Sequence, residues 1–174
     1  RFVQPRPPYR IDDADPSLPR AVPLLGADTD GAAFDGRRLP LVAPQATTLP
    51  LMGLRILDLT AWWAGPSATH LLAALGAEVI HVESTKQPDG IRCNTTRPMS
   101  EPQWWEWCPM FQGSNTNKLD VALELDTARG RELFLDLVAV SDVVIDNFSP
   151  RVLDQLGLAQ DVLLARNPRV IVLR

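Results

Sequence analysis

From Leu51 onward the chain alternates short apolar runs with amphipathic stretches, a pattern absent before that point. Ile56, Leu57 and Leu59, with Arg55 and Asp58, read as a buried strand. The loop Thr60–Gly65 ends at Pro66, which suits the first turn of a helix, where its missing N–H would be unpaired anyway. Ala68, Leu71, Leu72 and Leu75 give that helix an apolar stripe, and Gly76 is placed to end it. Val79, Ile80 and Val82 begin a second strand, so Gly53 to Glu83 forms a compact βαβ unit. A long loop, Ser84–Asn117, is followed by a strand at Val121–Leu125 and a helix from Ala128 to Val140. Asp142–Asp146 is a strand, Pro150–Leu156 and Gln160–Ala165 are short helices, and Arg169–Leu173 is a last strand after the Asn167-Pro168 break.

Strands alternating with helices predict an α/β fold: a Rossmann-like open, mostly parallel sheet covered on both faces, incomplete at this length. Ligands of such sheets sit at the carboxyl ends of the strands, which directs attention to Thr60–Pro66. The chain lacks both the Gly-x-Gly-x-x-Gly turn and the Walker A loop, so neither NAD nor ATP has its expected phosphate cradle.

Residues 1–49 are different in kind. The first fifty positions hold nine of the sixteen prolines, in runs such as PRPPYR, DPSLPR and LPLVAP, and predict an extended arm or linker ahead of a domain over 50–174. The chain opens on Arg1 rather than Met and closes at Arg174 within an apolar run, Val170–Leu173, and is therefore read as a fragment.

Composition narrows the classes. A content of 45% apolar and 22% charged residues suits a globular protein. No apolar run approaches the roughly 18 to 20 residues of a membrane span, and no secretory leader opens the chain; a cytoplasmic protein with no membrane partner is expected. Net charge −4 without a basic cluster argues against nucleic acid. Cys93 and Cys108 lack CxxC spacing and nearby histidines, so free thiols and no metal are expected. His70 on a helix and His81 in a strand are read as packing or surface residues.

In order, LMGLRILDLT, AGP, LLAALGAEVIHVE, NTNK, DVVIDNFSP with VLDQLGL, and NPRVIVL resemble the amino-terminal part of the family III CoA-transferases, over Leu49 to Arg174. That family includes formyl-CoA and carnitine CoA-transferases and the related α-methylacyl-CoA racemases. The resemblance implies a Rossmann-like large domain, a smaller domain, and a homodimer of interlocked chains. It implies coenzyme A or acyl-CoA as substrate, with a carboxylic acid as the second partner. Carried across by motif, Trp62, Trp63 and Ala64 should touch CoA, as should Leu123, Glu124, Leu125 and Asp126, and Asn147 and Phe148. The family's nucleophilic aspartate falls farther along than NPRVIVL, beyond Arg174, so no catalytic residue is assigned; Asp120, Asp126, Asp142 and Asp146 are read as turn and strand-end carboxylates.

The residues have readings of their own. Ala64-Gly65-Pro66 brings backbone close to a ligand and opens a helix whose free N–H groups favour a pyrophosphate or carboxylate. Trp62 and Trp63 offer flat faces to an adenine or pantetheine arm, or else pack in a core or interface. Asn147 either serves a strand-end site or caps the helix at Pro150, and Phe148 either walls the pocket or closes the sheet. Lys118 reads as part of a surface turn or as a cation for phosphates.

The chain departs from the family pattern at Ser84, which follows Glu83 where a basic residue is common, with Lys86 and Arg92 nearby. It departs again at Ser149 and Arg151, where glycines are common, and at Gln155, where some members carry arginine. PPYRI and LPRAVPLLGADTD resemble the closing segment of a preceding copy, which would place this piece at a tandem junction. The leading expectation is a CoA-transferase. Its alternatives are a racemase-like enzyme acting at the α-carbon of an acyl-CoA, and a non-catalytic tandem copy serving as a dimerisation scaffold, with Trp104, Trp105 and Trp107 as interface or lid.

Overall fold

The computed structural model describes residues 49–174; the Pro-rich arm lies outside the described residues but for Leu49. Five strands form one sheet in the order β3-β2-β1-β4-β5, every pair parallel. They are β1 Arg55–Asp58, β2 Glu78–Glu83, β3 Lys118–Ala122, β4 Val143–Ile145 and β5 Ile171–Leu173. The helices are α1 Ala64–Ala74, α2 Pro109–Asn115, α3 Ala128–Ala139, α4 Val152–Gln155 and α5 Gln160–Arg166. None of the described helices is long and apolar enough to cross a membrane.

Side chains of a strand alternate between faces, and the two faces of this sheet are built differently. On one, Leu57, Leu59, Ile80, Val82 and Val144 pack with Phe134, Leu137 and Val138 of α3, Leu153 of α4, and Leu163 of α5. Burying each such side chain contributes about 1.5–3 kcal/mol, which makes this face the principal core. On the other, Ile56, Val79 and Ile145 meet Ala73 and Ala77, whose small side chains let α1 settle close to the sheet. Further along that second face the apolar pattern stops, and Asp58, His81 and Lys118 follow in neighbouring strands. On β5, Ile171 and Leu173 remain 62% and 56% exposed.

Two expectations are corrected. The span 84–117, expected as loop, contains α2 and two 3-10 turns, Gly90–Cys93 and Trp104–Trp107. α2 is seven residues with Gly113 in its interior, too short and too polar to show a helical stripe, and it is started by Pro109 and by Cys108, whose sulfur accepts from Phe111 N. β3 lies at Lys118–Ala122 rather than at Val121–Leu125. Pairing of Val79 with Lys118 fixes its register, and Leu123 and Leu125 follow the strand as a turn that packs onto the core. The end of α1 matches expectation: Gly76 takes φ 102°, the left-handed region in which a glycine ends a helix.

Candidate functional site

Asp58 closes β1 fully buried, so its carboxylate must find donors inside the protein. One oxygen accepts from Thr60 N (2.9 Å) and Thr60 Oγ1 (2.5 Å); the other accepts from Thr69 Oγ1 (2.6 Å) and Lys118 Nζ (2.9 Å). Lys118 also donates to Pro66 O (3.0 Å) and Asn115 Oδ1 (2.7 Å), so all three ammonium protons are used. Its side chain is 1% exposed, which corrects the reading of a surface turn. His81 Nδ1 stands 3.6 Å from Asp58 Oδ2, and the imidazole leans on the Phe111 ring with centroids 6.1 Å apart.

These groups set one another's protonation. Burial pushes Asp58 up, but His81, Lys118 and the Thr60 hydroxyl outweigh it and hold the carboxyl well below the usual range. Burial lowers His81, yet Asp58, with a further contribution from Asp120, raises it above an ordinary histidine. Burial pulls the Lys118 ammonium below an ordinary lysine despite Asp58 beside it.

Beside this cluster Glu83 ends β2 in a two-pronged ion pair, Oε1 to Arg92 Nε and Oε2 to Arg92 Nη2, both at 2.7 Å. Burial raises Glu83, but the guanidinium prevails and the carboxyl is lowered. Arg92 lies 3.4 Å over the Phe111 ring and donates to Trp105 O. It is thereby a structural cation beneath the Trp-rich segment. Glu83 Oε1 also accepts from Asp89 N (2.7 Å), and Asp89 Oδ1 in turn accepts from Trp62 N (2.9 Å).

The loop after β1 is held from two sides. Asn147, two residues past β4, accepts from Ala61 N (2.9 Å) and donates to Ala61 O (2.8 Å). It neither caps a helix nor stands free; its amide ties the ends of β1 and β4 together. Gly65 is required, because a Cβ there would run into the Thr60 side chain. α1 begins at Ala64 with no side-chain cap and no acidic residue in its first turn. Trp62 and Trp63 are 59% and 57% exposed, which rules out the core reading for both.

The other sequence-predicted residues gather at neighbouring strand ends. Glu124 accepts from Ser84 Oγ (3.0 Å) and Thr85 Oγ1 (2.6 Å), which lowers it, and Lys86 Nζ lies 3.0 Å from Asp126. Leu123 is buried and Leu125 half-buried against the core, with Leu123 N donating to Glu83 O. Phe148 packs partly buried against the same core, in the manner of a residue closing the sheet. His70 Nδ1 contacts Thr116 O at 3.0 Å and so links α1 to the residue after α2. Cys93 and Cys108 are free thiols, the first exposed and the second buried. No group of three or more His, Cys, Asp or Glu among the described residues is disposed to hold a metal.

The loop after β1 thus lies between the segments that follow its neighbours β2 and β4, at the carboxyl ends of parallel strands, the geometry in which α/β sheets take their ligands. Residues 51–174 match the sequence profile of CoA-transferase family III. The chain belongs to that family. Over 165 residues it is 36% identical to a probable CoA-transferase of Mycobacterium tuberculosis, covering 94% of this chain and 20% of that protein. Over 125 residues it is 37% identical to a formyl-CoA:oxalate CoA-transferase of Streptomyces avermitilis, covering 71% of this chain and 29% of that one. Its fold superposes on the crystal structure of the M. tuberculosis protein Rv3272 with TM-score 0.63 and 35% identity, over 72% of this chain and 33% of that one. The chain therefore spans between a fifth and a third of the length of these relatives.

The sequence pattern did not point to His81 or Asp89 as site residues, and it offered Lys118 only as a surface-turn residue or a cation for phosphates, not as the partner of Asp58. One signal was available. A charged residue at the end of an otherwise apolar strand, as in ILD of β1, needs an internal counter-charge once buried, and the pattern says nothing of which residue supplies it.

Proposed function

We propose that this chain forms the CoA-binding part of an acyl-CoA:carboxylate CoA-transferase. The observation that carries the reading is the open loop at the carboxyl end of central strand β1, where exposed Trp62 and Trp63 precede an uncapped helix start in a chain of this family. Uncapped first-turn amides favour an anion, here a carboxylate or pyrophosphate of acyl-CoA, and the tryptophan faces suit the adenine or pantetheine arm. Ala64 contributes backbone at the closest approach. Lys86, held between Glu124 (3.6 Å) and Asp126 (3.0 Å), is the cation offered to phosphates at the ends of β2 and β3. Leu123 and Leu125 support that rim from beneath, while Asn147 and Phe148 form the β4 side.

The nucleophile belongs to chain that follows Arg174: an aspartate whose carboxylate attacks the thioester carbonyl and expels CoA thiolate, leaving an acyl-aspartyl anhydride. Within these residues the task is binding and orientation. The reading includes a cytoplasmic homodimer of interlocked chains. It also includes a two-copy parent, with the arm 1–49 as the junction. The M. tuberculosis relative supports this last point, since matches of 165 and 125 residues cover 20% of it and 29% of the Streptomyces protein, making it roughly twice as long.

Exchange of labelled CoA between an acyl-CoA donor and a free carboxylic acid, assayed on the full-length protein, tests the activity. Exchange is expected, and Trp63→Ala should raise KM for acyl-CoA roughly three- to tenfold, the loss of about 0.5–1.5 kcal/mol of ring contact. Absence of exchange together with α-proton washout would establish a racemase instead, and absence of both with no CoA binding would establish a scaffold.

A further inference from the structure

On the face opposite the principal core, a charged row crosses the sheet. Asp58 on β1, His81 on β2 and Asp120 on β3 are register partners, so an imidazole stands between two carboxylates of adjacent strands. His81 is 2% exposed, and both of its ring nitrogens are buried without a hydrogen-bond partner. Asp58 Oδ2, 3.6 Å from Nδ1, is already taken by Thr69 and Lys118. A neutral ring here strands an N–H and a lone pair, both costly to bury unpaired. A charged ring is drawn to Asp58 and Asp120, and to Glu83 on its own strand, with Lys118 opposing. The carboxylates outweigh burial and raise the imidazole above an ordinary histidine, so the site is built for the protonated ring.

Packed on this ring is α2. The His81 and Phe111 rings are 6.1 Å apart, and the Arg92 guanidinium lies 3.4 Å from the Phe111 centroid, so a charged His81 gives Phe111 a second cation. At its carboxyl end α2 is tied firmly: Asn115 Oδ1 accepts from Lys118, and Thr116 O meets His70 Nδ1. At its amino end the ties are softer. They include the Phe111 ring contacts and Cys108 Sγ, a weak donor, 3.0 Å from Ile91 O. The strands on either side of His81 are fixed by backbone pairing, so the first turn of α2 is the part that can yield and let water reach a neutral ring.

We propose that His81 is a proton-operated latch on α2: its imidazolium keeps Phe111 and Cys108 seated on the sheet, and loss of the proton lets the first turn of the helix lift. The device does not depend on the CoA-binding reading, because every group in it lies among the strands and the segments packed on them. Its sign follows from the raised imidazole. The latch is closed below the ordinary histidine value and opens as pH rises through the higher value of the folded state. Cys108 reports the motion, since it is 0% exposed with the turn seated and gains access to solvent when the turn lifts.

The test is alkylation of the full-length protein by iodoacetamide, with the rate at Cys108 divided by the rate at Cys93 and both read by peptide mass spectrometry. Cys93 is exposed, so the ratio cancels the general rise of thiol reactivity with pH. In wild type the ratio should climb about fivefold or more as pH rises above the ordinary histidine value, the size of a typical coupling between a bound proton and a local opening. His81→Gln carries no charge at any pH, and its ratio should stay flat. Asp120→Asn, at an exposed position, removes one carboxylate that favours the charged ring, and its climb should come at lower pH than in wild type. Far-UV circular dichroism should hold constant over the range. A wild-type ratio constant within about twofold overturns the latch. The same climb in His81→Gln overturns it too, by assigning the opening to another group, as does a climb that appears only where the helical signal is lost. Should His81→Gln fail to fold, the wild-type and Asp120→Asn profiles decide, and a climb at unchanged or higher pH in Asp120→Asn overturns the proposal.

Discussion

Replacing Lys118 with Met tests the buried polar cluster most directly, because Met keeps the apolar stem and removes only the ammonium. The substitution deletes hydrogen bonds to Asp58 (2.9 Å), Pro66 O (3.0 Å) and Asn115 (2.7 Å) and leaves the Asp58 carboxylate, 0% exposed, with His81 at 3.6 Å in place of a hydrogen-bonded ammonium. Breaking a buried pair by removing one partner costs about 3–5 kcal/mol. Asp58 keeps three other hydrogen bonds, from Thr60 N, Thr60 Oγ1 and Thr69 Oγ1, so the expected loss sits at the low end, about 3 kcal/mol. Against a typical total of about 5–15 kcal/mol this is a large fraction. Urea titration at pH 7 followed by circular dichroism measures it, as a lower midpoint at an unchanged slope. Asp58→Asn with Lys118→Met should lose less than the two single losses combined, by about 1–3 kcal/mol, because removing both charges leaves neither stranded. A single-variant loss below about 1 kcal/mol, or a coupling below about 0.5 kcal/mol, refutes the reasoning.

Two further outcomes follow from the same structure. His81 is raised above its ordinary value, so the stability it contributes is complete below its unfolded pKa and is lost as pH rises through the folded one. Wild type should therefore weaken, as pH rises above the ordinary histidine value of about 6.5, more than His81→Gln does, and parallel profiles would sink the assignment; the lowered Asp58 acts at the other end, its contribution fading as pH falls below the ordinary carboxylate range. Gly130→Ala should lower the melting temperature, since its Cβ would run into the Glu124 carbonyl at a cost of about 1–3 kcal/mol. Gly113→Ala, where nothing lies within 4 Å, should raise it by removing a glycine from the interior of α2, a gain of about 0.5–1 kcal/mol. Shifts of the same sign in calorimetry would contradict this contrast.

Much of the fold was legible because its determinants are local. β1, β2, β4 and β5 follow from apolar runs, α1 and α3 from their stripes, and the place of a ligand loop from the order strand, loop, Pro66, helix. Two elements were not, for physical reasons. α2 has too few turns to display a period, and β3 takes its position from pairing with β2 rather than from its own apolar residues, Leu119 lying 52% exposed while Leu123 is buried beyond the strand. The same division runs through the site. Sequence placed Trp62, Trp63, Ala64 and Asn147 at strand ends, since that depends on neighbours in the chain. It could not give Asn147 its grip on Ala61, 86 positions away, nor Lys118 its place beside Asp58, 60 positions away. A lysine in a polar turn looks solvated until a sheet sets a buried carboxylate beside it. Charge and hydrogen-bonding capacity belong to the residue, whereas burial and partner belong to the tertiary structure, and those two decide whether a polar side chain is surface, scaffold or site.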